Sequence, residues 1–147
     1  MKTVRRLLLV LQGFVGIGAL AGGLAAITNP NAPMGVTTEA LKNSPFSNFL
    51  IPGIILFTII GIGNIISAIT LWYDFRFQCY ISCVFSWALV IWIIVQCIML
   101  QEIVYLHVIF FIIGLVEVVL SAVILFNQRL FPAGLIISFA EKLRMQR

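Results

Sequence analysis

The sequence predicts an all-α membrane protein: a four-helix transmembrane bundle with short connectors and a C-terminal interfacial amphipathic helix. Three observations carry this: a surplus of apolar residues, four apolar runs of membrane-crossing length, and basic residues gathered on one side of those runs. Residues of the AVILMFWYC class make up 62% of the 147 and charged residues 10%, with a mean hydropathy of +1.15. A soluble domain is closer to half apolar and a quarter charged, and a chain this short has too little interior to hide the difference from water. Lipid is the solvent this composition suits. Four spans with short connectors make residues 1–147 a single transmembrane domain.

The apolar runs cover about 7–27, 51–72, 79–99 and 103–126. Each can cross roughly 30 Å of hydrocarbon at about 1.5 Å per residue. They read as helices because an unpaired backbone group in lipid costs several kcal/mol, and because the runs are continuous rather than alternating. Lys2, Arg5 and Arg6 precede the first run, Arg76 follows the second, and Arg129, Lys142, Arg144 and Arg147 follow the fourth. Only Lys42 of the nine basic residues falls on the other side. Cytoplasmic loops collect Lys and Arg, so both termini and the second connector are expected in the cytoplasm. The net charge of +4 is mostly this topology signal and does not point to nucleic acid. Ala19-Leu20-Ala21 would suit signal cleavage, but the apolar run is longer than the usual hydrophobic core of a signal, and it reads as a retained span.

The first span is rich in small residues. Gly18 and Gly22 form a G-x-x-x-G step, extended by Ala19, Gly23 and Ala26. Such faces let helix backbones approach closely where lipid removes the hydrophobic drive for association. Asn29-Pro30-Asn31-Ala32-Pro33 then ends the helix. Thr37 or Thr38 is expected to cap a short helix through Asn43, closed by Ser44-Pro45. Pro52 suits the first turn of the second span. After Pro132, Leu135, Ile136, Phe139 and Leu143 recur at helical spacing beside Glu141, Lys142 and Arg144. That pattern predicts an interfacial helix over about 133–145, with Lys142, Arg144 and Arg147 against anionic lipid.

Few residues could carry chemistry. Glu117 lies deep in the fourth span, roughly 20 Å from its outer end. A carboxyl there must be paired, wet or protonated. Asn64 sits at nearly the same depth in the second span, with Ser67 and Ser121 one turn away on their own helices. The four form a candidate intramembrane polar site, in which Asn64 and Glu117 could hydrogen-bond. The group either ties helices together or lines a cavity for a proton, an ion or a polar ligand. Gln96, Gln101, Glu102 and His107 form a second group near the outer face. They read as interfacial solvation or as a vestibule leading toward Glu117.

No catalytic, metal or cofactor signature accompanies these residues. There is one histidine, no metal-ligand cluster, no Walker A loop, no G-x-S-x-G and no H-E-x-x-H. Cys79 and Cys83 lack the C-x-x-C spacing, Cys97 lies near the opposite end of the third span, and all three read as packing residues. No cofactor is expected.

The stretch Asn43-Ser44-Pro45-Phe46-Ser47-Asn48-Phe49-Leu50-Ile51-Pro52-Gly53 resembles a pattern in small bacterial four-span membrane proteins of uncharacterised function. The resemblance implies a bacterial inner-membrane location and carries no activity or residue roles.

The expected function is a non-enzymatic one: an accessory subunit, or a bundle that binds a lipid or ligand. Its partners would be the bilayer and either another membrane protein or further copies of the chain. The alternative is a small oligomeric transporter or channel, with Glu117 as its proton- or cation-coupled residue and Gly18 and Gly22 in a subunit contact. A lipid-acting enzyme is third, but Glu117 and His107 are about 15 Å apart along one helix, too far to share a reacting atom. Single cysteines on a cysteine-free background test the topology: position 42 should be labelled from outside, and positions 76 and 142 only from inside. Labelling of position 76 from outside in intact cells would overturn the orientation.

Overall fold

The computed structural model describes residues 1–128, and within them it contains helices and turns but no strand. Four helices are long and apolar enough to cross a membrane: α1 (Lys2–Thr28), α2 (Leu50–Trp72), α3 (Gln78–Leu100) and α4 (Tyr105–Asn127). The chain is thus all-helical across the described residues, as its continuous apolar runs require. The helix expected over 133–145, and with it Lys142, Arg144 and Arg147, lies outside the described residues.

Helix α1 starts five residues before its apolar run, because the basic head from Lys2 to Arg6 is itself helical. It stops at Asn29-Pro30, where the Asn29 N–H still reaches the Ala25 carbonyl. The first connector departs from expectation. In place of a helix running to Asn43 it holds two 3₁₀ turns, Pro33–Gly35 and Thr38–Leu41, and Thr37 stands at the second without a side-chain cap bond. Proline disfavours helical geometry in the residue before it, so Ser44-Pro45 leaves little room to propagate a full helix. The Phe49 N–H closes the connector on the Pro30 carbonyl at 2.9 Å.

Helix α2 takes Pro52 within its first turn, where the missing N–H costs nothing. Residues Leu56–Ile62 are then π-helical, a widening that periodicity did not predict. Thr58 lies within it and turns its hydroxyl back to the Ile54 carbonyl at 2.7 Å, a bond that competes with the regular ladder. Asp74 (φ 57°) turns the chain into α3, and Gln101 (φ 49°) ends α3 in a left-handed residue.

Each helix packs on its neighbours in sequence, and α1 also meets α4. The α1–α2 contact brings side chain and backbone of one helix close to the other. A Cβ on Gly23 would lie 2.7 Å from the Phe57 backbone nitrogen, and one on Gly16 would lie 2.7 Å from Ile65 Cδ1. At Gly18 and Gly22 a Cβ would meet Phe110 and Leu56 at ordinary contact distances of 3.6 and 3.5 Å. The small face of α1 is therefore used, but close approach depends on Gly16 and Gly23, and Gly18 stays exposed.

The side chains are distributed inside out. Ile17, Ile98 and Val10 are 66%, 65% and 61% exposed, while Gln12, Asn64, Ser67, Ser82, Ser86, Glu117 and Ser121 are all at 0%. Two apolar clusters bracket these polar residues. Val15, Ala19, Ile60, Leu89, Trp92 and Ile93 lie toward the α3–α4 connector, and Leu8, Leu71, Cys79 and Ile124 toward the amino-terminal end. Water would punish this arrangement and lipid rewards it.

Arg5 closes the amino-terminal end. Its guanidinium donates to the Leu71 and Trp72 carbonyls, which α2 leaves without helical partners, and pairs with Asp74 at 2.9 Å. The Gln78 amide and then Arg5 hold the Asp74 carboxyl below its ordinary range. A depressed carboxyl contributes stability above that range and loses it as pH falls through the lowered value. The contribution is small, because Asp74 is well exposed.

Gly23→Ala should destabilise the protein by about 1–3 kcal/mol, because the intruded neighbour is backbone and α2 must shift. Gly13 has nothing within 4 Å of an added Cβ, so Gly13→Ala should leave stability unchanged or raise it by up to about 1 kcal/mol. Unfolding of both variants in mild detergent checks the pair.

Candidate functional site

The polar layer forms because each helix carries polar residues at the three- and four-residue spacing that defines one face. Helix α1 presents Leu8, Gln12, Val15 and Ala19 inward; α2 presents Ile60, Asn64, Ser67 and Leu71. Helix α3 presents Cys79, Ser82, Ser86 and Leu89, and α4 presents Gly114, Glu117, Ser121 and Ile124. Such a spacing keeps a seam facing its partners along the whole span.

Gln12 is the hub. Its Oε1 accepts from the Ser67 hydroxyl at 2.7 Å, and Ser67 Oγ lies 3.0 Å from Ser82 Oγ. Gln12 Nε2 donates to the Ser82 carbonyl and to Ser86 Oγ, each at 3.4 Å, while Ser86 donates to the Ser82 carbonyl at 2.7 Å. One amide thereby joins α1 to α2 and to α3. Sequence reasoning passed over Gln12, Ser82 and Ser86. Their signal was available: each lies one helical repeat from an apolar interface residue within an apolar run.

Glu117 and Asn64 behave differently. They do not hydrogen-bond to each other. Asn64 Nδ2 donates within its own helix, to the Ile60 carbonyl at 2.8 Å, and its Oδ1 has no partner. Both carboxyl oxygens of Glu117 lack a partner. The Ser86 hydroxyl is near enough to act on that carboxyl, but it donates to Ser82 instead. Ser121 bonds back to the Val118 carbonyl at 2.9 Å. Of the four residues expected to form the site, only Ser67 ties helices together through a side-chain hydrogen bond.

Above this layer, toward the α3–α4 connector, lies a cavity of about 180 Å³ walled by all four helices. Val15, Ile60, Leu89 and Phe110 give it apolar walls, and Gln96 and His107 line it too. Trp92 is a wall residue whose buried indole N–H has no partner. Leu56 and Ile60, both in the π-helical stretch, also line it, and π-helical widenings occur often at functional sites. Gln101 and His107 line a larger groove of about 670 Å³ between α3 and α4. Glu102 is exposed and lines neither. His107 Nδ1 accepts the Val104 N–H at 3.3 Å, capping α4.

The three cysteines are free thiols. Cys79 packs among Leu8, Leu71 and Ile124 and faces Gln128 Oε1 at 3.1 Å. Among the described residues no group of His, Cys, Asp and Glu could hold a metal ion. No family model, no curated protein and no solved structure matches the chain.

Two substitutions separate the network from the acid. Gln12→Ala should lower stability by about 1–2 kcal/mol, since it strips hydrogen bonds from two neighbouring helices. Glu117→Leu should cost little or stabilise, because it removes a polar group that nothing satisfies. Thermal unfolding in detergent measures both, and equal losses would show that Glu117 also holds helices together.

Proposed function

We propose that this chain is a non-enzymatic, ligand-binding membrane protein, a four-helix bundle of the cell's inner membrane with both termini in the cytoplasm. The ligand lies in the cavity between the helices, with Glu117 as the acid beneath it. The observation that carries this reading is the contrast between Gln12 and Glu117. The Gln12 network ties α1, α2 and α3 together in mid-span, whereas the Glu117 carboxyl is fully buried with neither oxygen in a hydrogen bond. An unsatisfied acid in so apolar a setting costs several kcal/mol, which a proton, a cation or a ligand donor would relieve. The unpartnered Asn64 Oδ1 and Trp92 N–H add an acceptor and a donor to the same region. An apolar cavity of this size matches those that take up benzene-sized molecules.

A second reading, a small oligomeric transporter or channel, draws on one further observation. Polar side chains flank Glu117 on both sides, with Gln96 and His107 toward one face and Gln12, Ser67 and Ser82 toward the other. The exposed Gly18 supplies a surface for a subunit contact.

Native mass spectrometry of protein extracted in mild detergent tests the first reading. The native chain should retain a bound small molecule or lipid fragment, and Ala19→Phe, which fills the cavity, should release it. A bare native chain, or retention by the filled variant, would sink the proposal. Proteoliposome proton flux tests the second: Glu117→Gln keeps the shape but cannot exchange the proton, so any flux should fall to the lipid background.

A further inference from the structure

A separate feature lies at the amino-terminal end, between α1 and α2. A recess of about 580 Å³ opens there, with the three basic residues of the α1 head, Lys2, Arg5 and Arg6, at its mouth. Its walls are Leu9 and Val10 from α1, and Leu71 and Trp72 from α2. Arg5 is already committed to Asp74 and to the carbonyls that end α2. Lys2 and Arg6 are not. Both are exposed, and neither has an acidic partner among the described residues.

Lys2 and Arg6 are four residues apart, so they share one face of α1. Val10 continues that face another turn down, roughly 6 Å further along the axis. Two free cations therefore stand directly above an apolar slot that runs into the span. Trp72 is 70% exposed beside them, with the amphipathic ring that favours the headgroup level.

We infer that this recess binds one anionic phospholipid, its phosphate between Lys2 and Arg6 and an acyl chain along Val10, Leu9 and Leu71. Charge complementarity selects the headgroup, since the site offers two unmatched positive charges and no unmatched acid. The apolar wall directly below selects a lipid over a free anion. Basic recesses between spans are a recurrent setting for acidic headgroups. The site depends neither on the cavity above Glu117 nor on which face of the membrane the amino terminus occupies.

The test uses the full chain in non-ionic detergent, titrated with phosphatidylglycerol, phosphatidylcholine or inorganic phosphate and read as bound mass by native mass spectrometry. Phosphatidylglycerol should bind saturably, and the other two should not compete with it. Lys2→Gln with Arg6→Gln should weaken that binding about 25-fold, at about fivefold for each basic residue at a membrane surface. Removing two topology charges could disturb insertion, so Val10→Trp, which keeps both charges and blocks the acyl slot, provides an independent arm and should weaken binding as well. Lys42→Gln should leave it unchanged. Phosphatidylcholine binding as tightly as phosphatidylglycerol, or displacement by inorganic phosphate, would overturn the proposal. So would unaltered binding in both the double variant and Val10→Trp.

Discussion

One amide at the centre of the protein sets the terms for the rest. In lipid, apolar side chains gain nothing by leaving their solvent for each other, so helices associate through close packing and interhelical hydrogen bonds. Gln12 provides the bonds, reaching Ser67 on α2 and Ser82 and Ser86 on α3. Gly16 and Gly23 provide the packing, bringing α1 onto the backbone of α2. Sliding any of these helices by one residue would break several bonds of the Gln12 network together. The apolar clusters on either side of the polar layer then fall into place around it.

Against that satisfied network, Glu117 stands out as a cost without a local return. Bridging residues in lipid are justified by their partners, and this carboxyl has none. The unpartnered Asn64 carbonyl oxygen belongs to the same polar layer, and the Trp92 N–H to the apolar cluster beside it. Of these three orphaned buried groups, the Trp92 indole belongs to the wall of the cavity between the four helices. Buried polar groups are satisfied in most proteins, and exceptions concentrate where a ligand, a proton or a water completes the set. The π-helical stretch of α2 borders the same cavity, so the helix departs from regularity where the packing does.

The amino-terminal end solves a different problem. Where α2 stops, its last carbonyls lack helical partners, and the Arg5 guanidinium meets two of them while pairing with Asp74. Arg5 thus fastens the start of α1 to the end of α2. Lys2, three residues before the latch, and Arg6, one residue after it, keep their charges free. Residues that read in the sequence as one topology signal divide into a fastening group and a solvent- or lipid-facing group.

The chain's covalent order determined a good deal unaided. Four runs too long and too apolar for water had to become helices, because lipid offers no partner to an open backbone, and the helices lie within a few residues of those runs. Glu117 was legible as an anomaly for the same reason, since one carboxyl in an apolar run is visible without any structure. Tertiary structure decided what each polar residue does. Gln12 lay close to the basic head, where a polar side chain attracts no notice, and it became the hub only when α2 and α3 came within reach. Asn64 and Glu117 matched in depth yet did not pair, because a hydrogen bond depends on direction and on angstrom distances that residue counting along separate helices does not set. The π-helical stretch, the 3₁₀ turns of the first connector, the cavity and the Arg5 latch all arise where distant segments meet. Periodicity records which face of a helix turns inward, and only packing settles what that face meets.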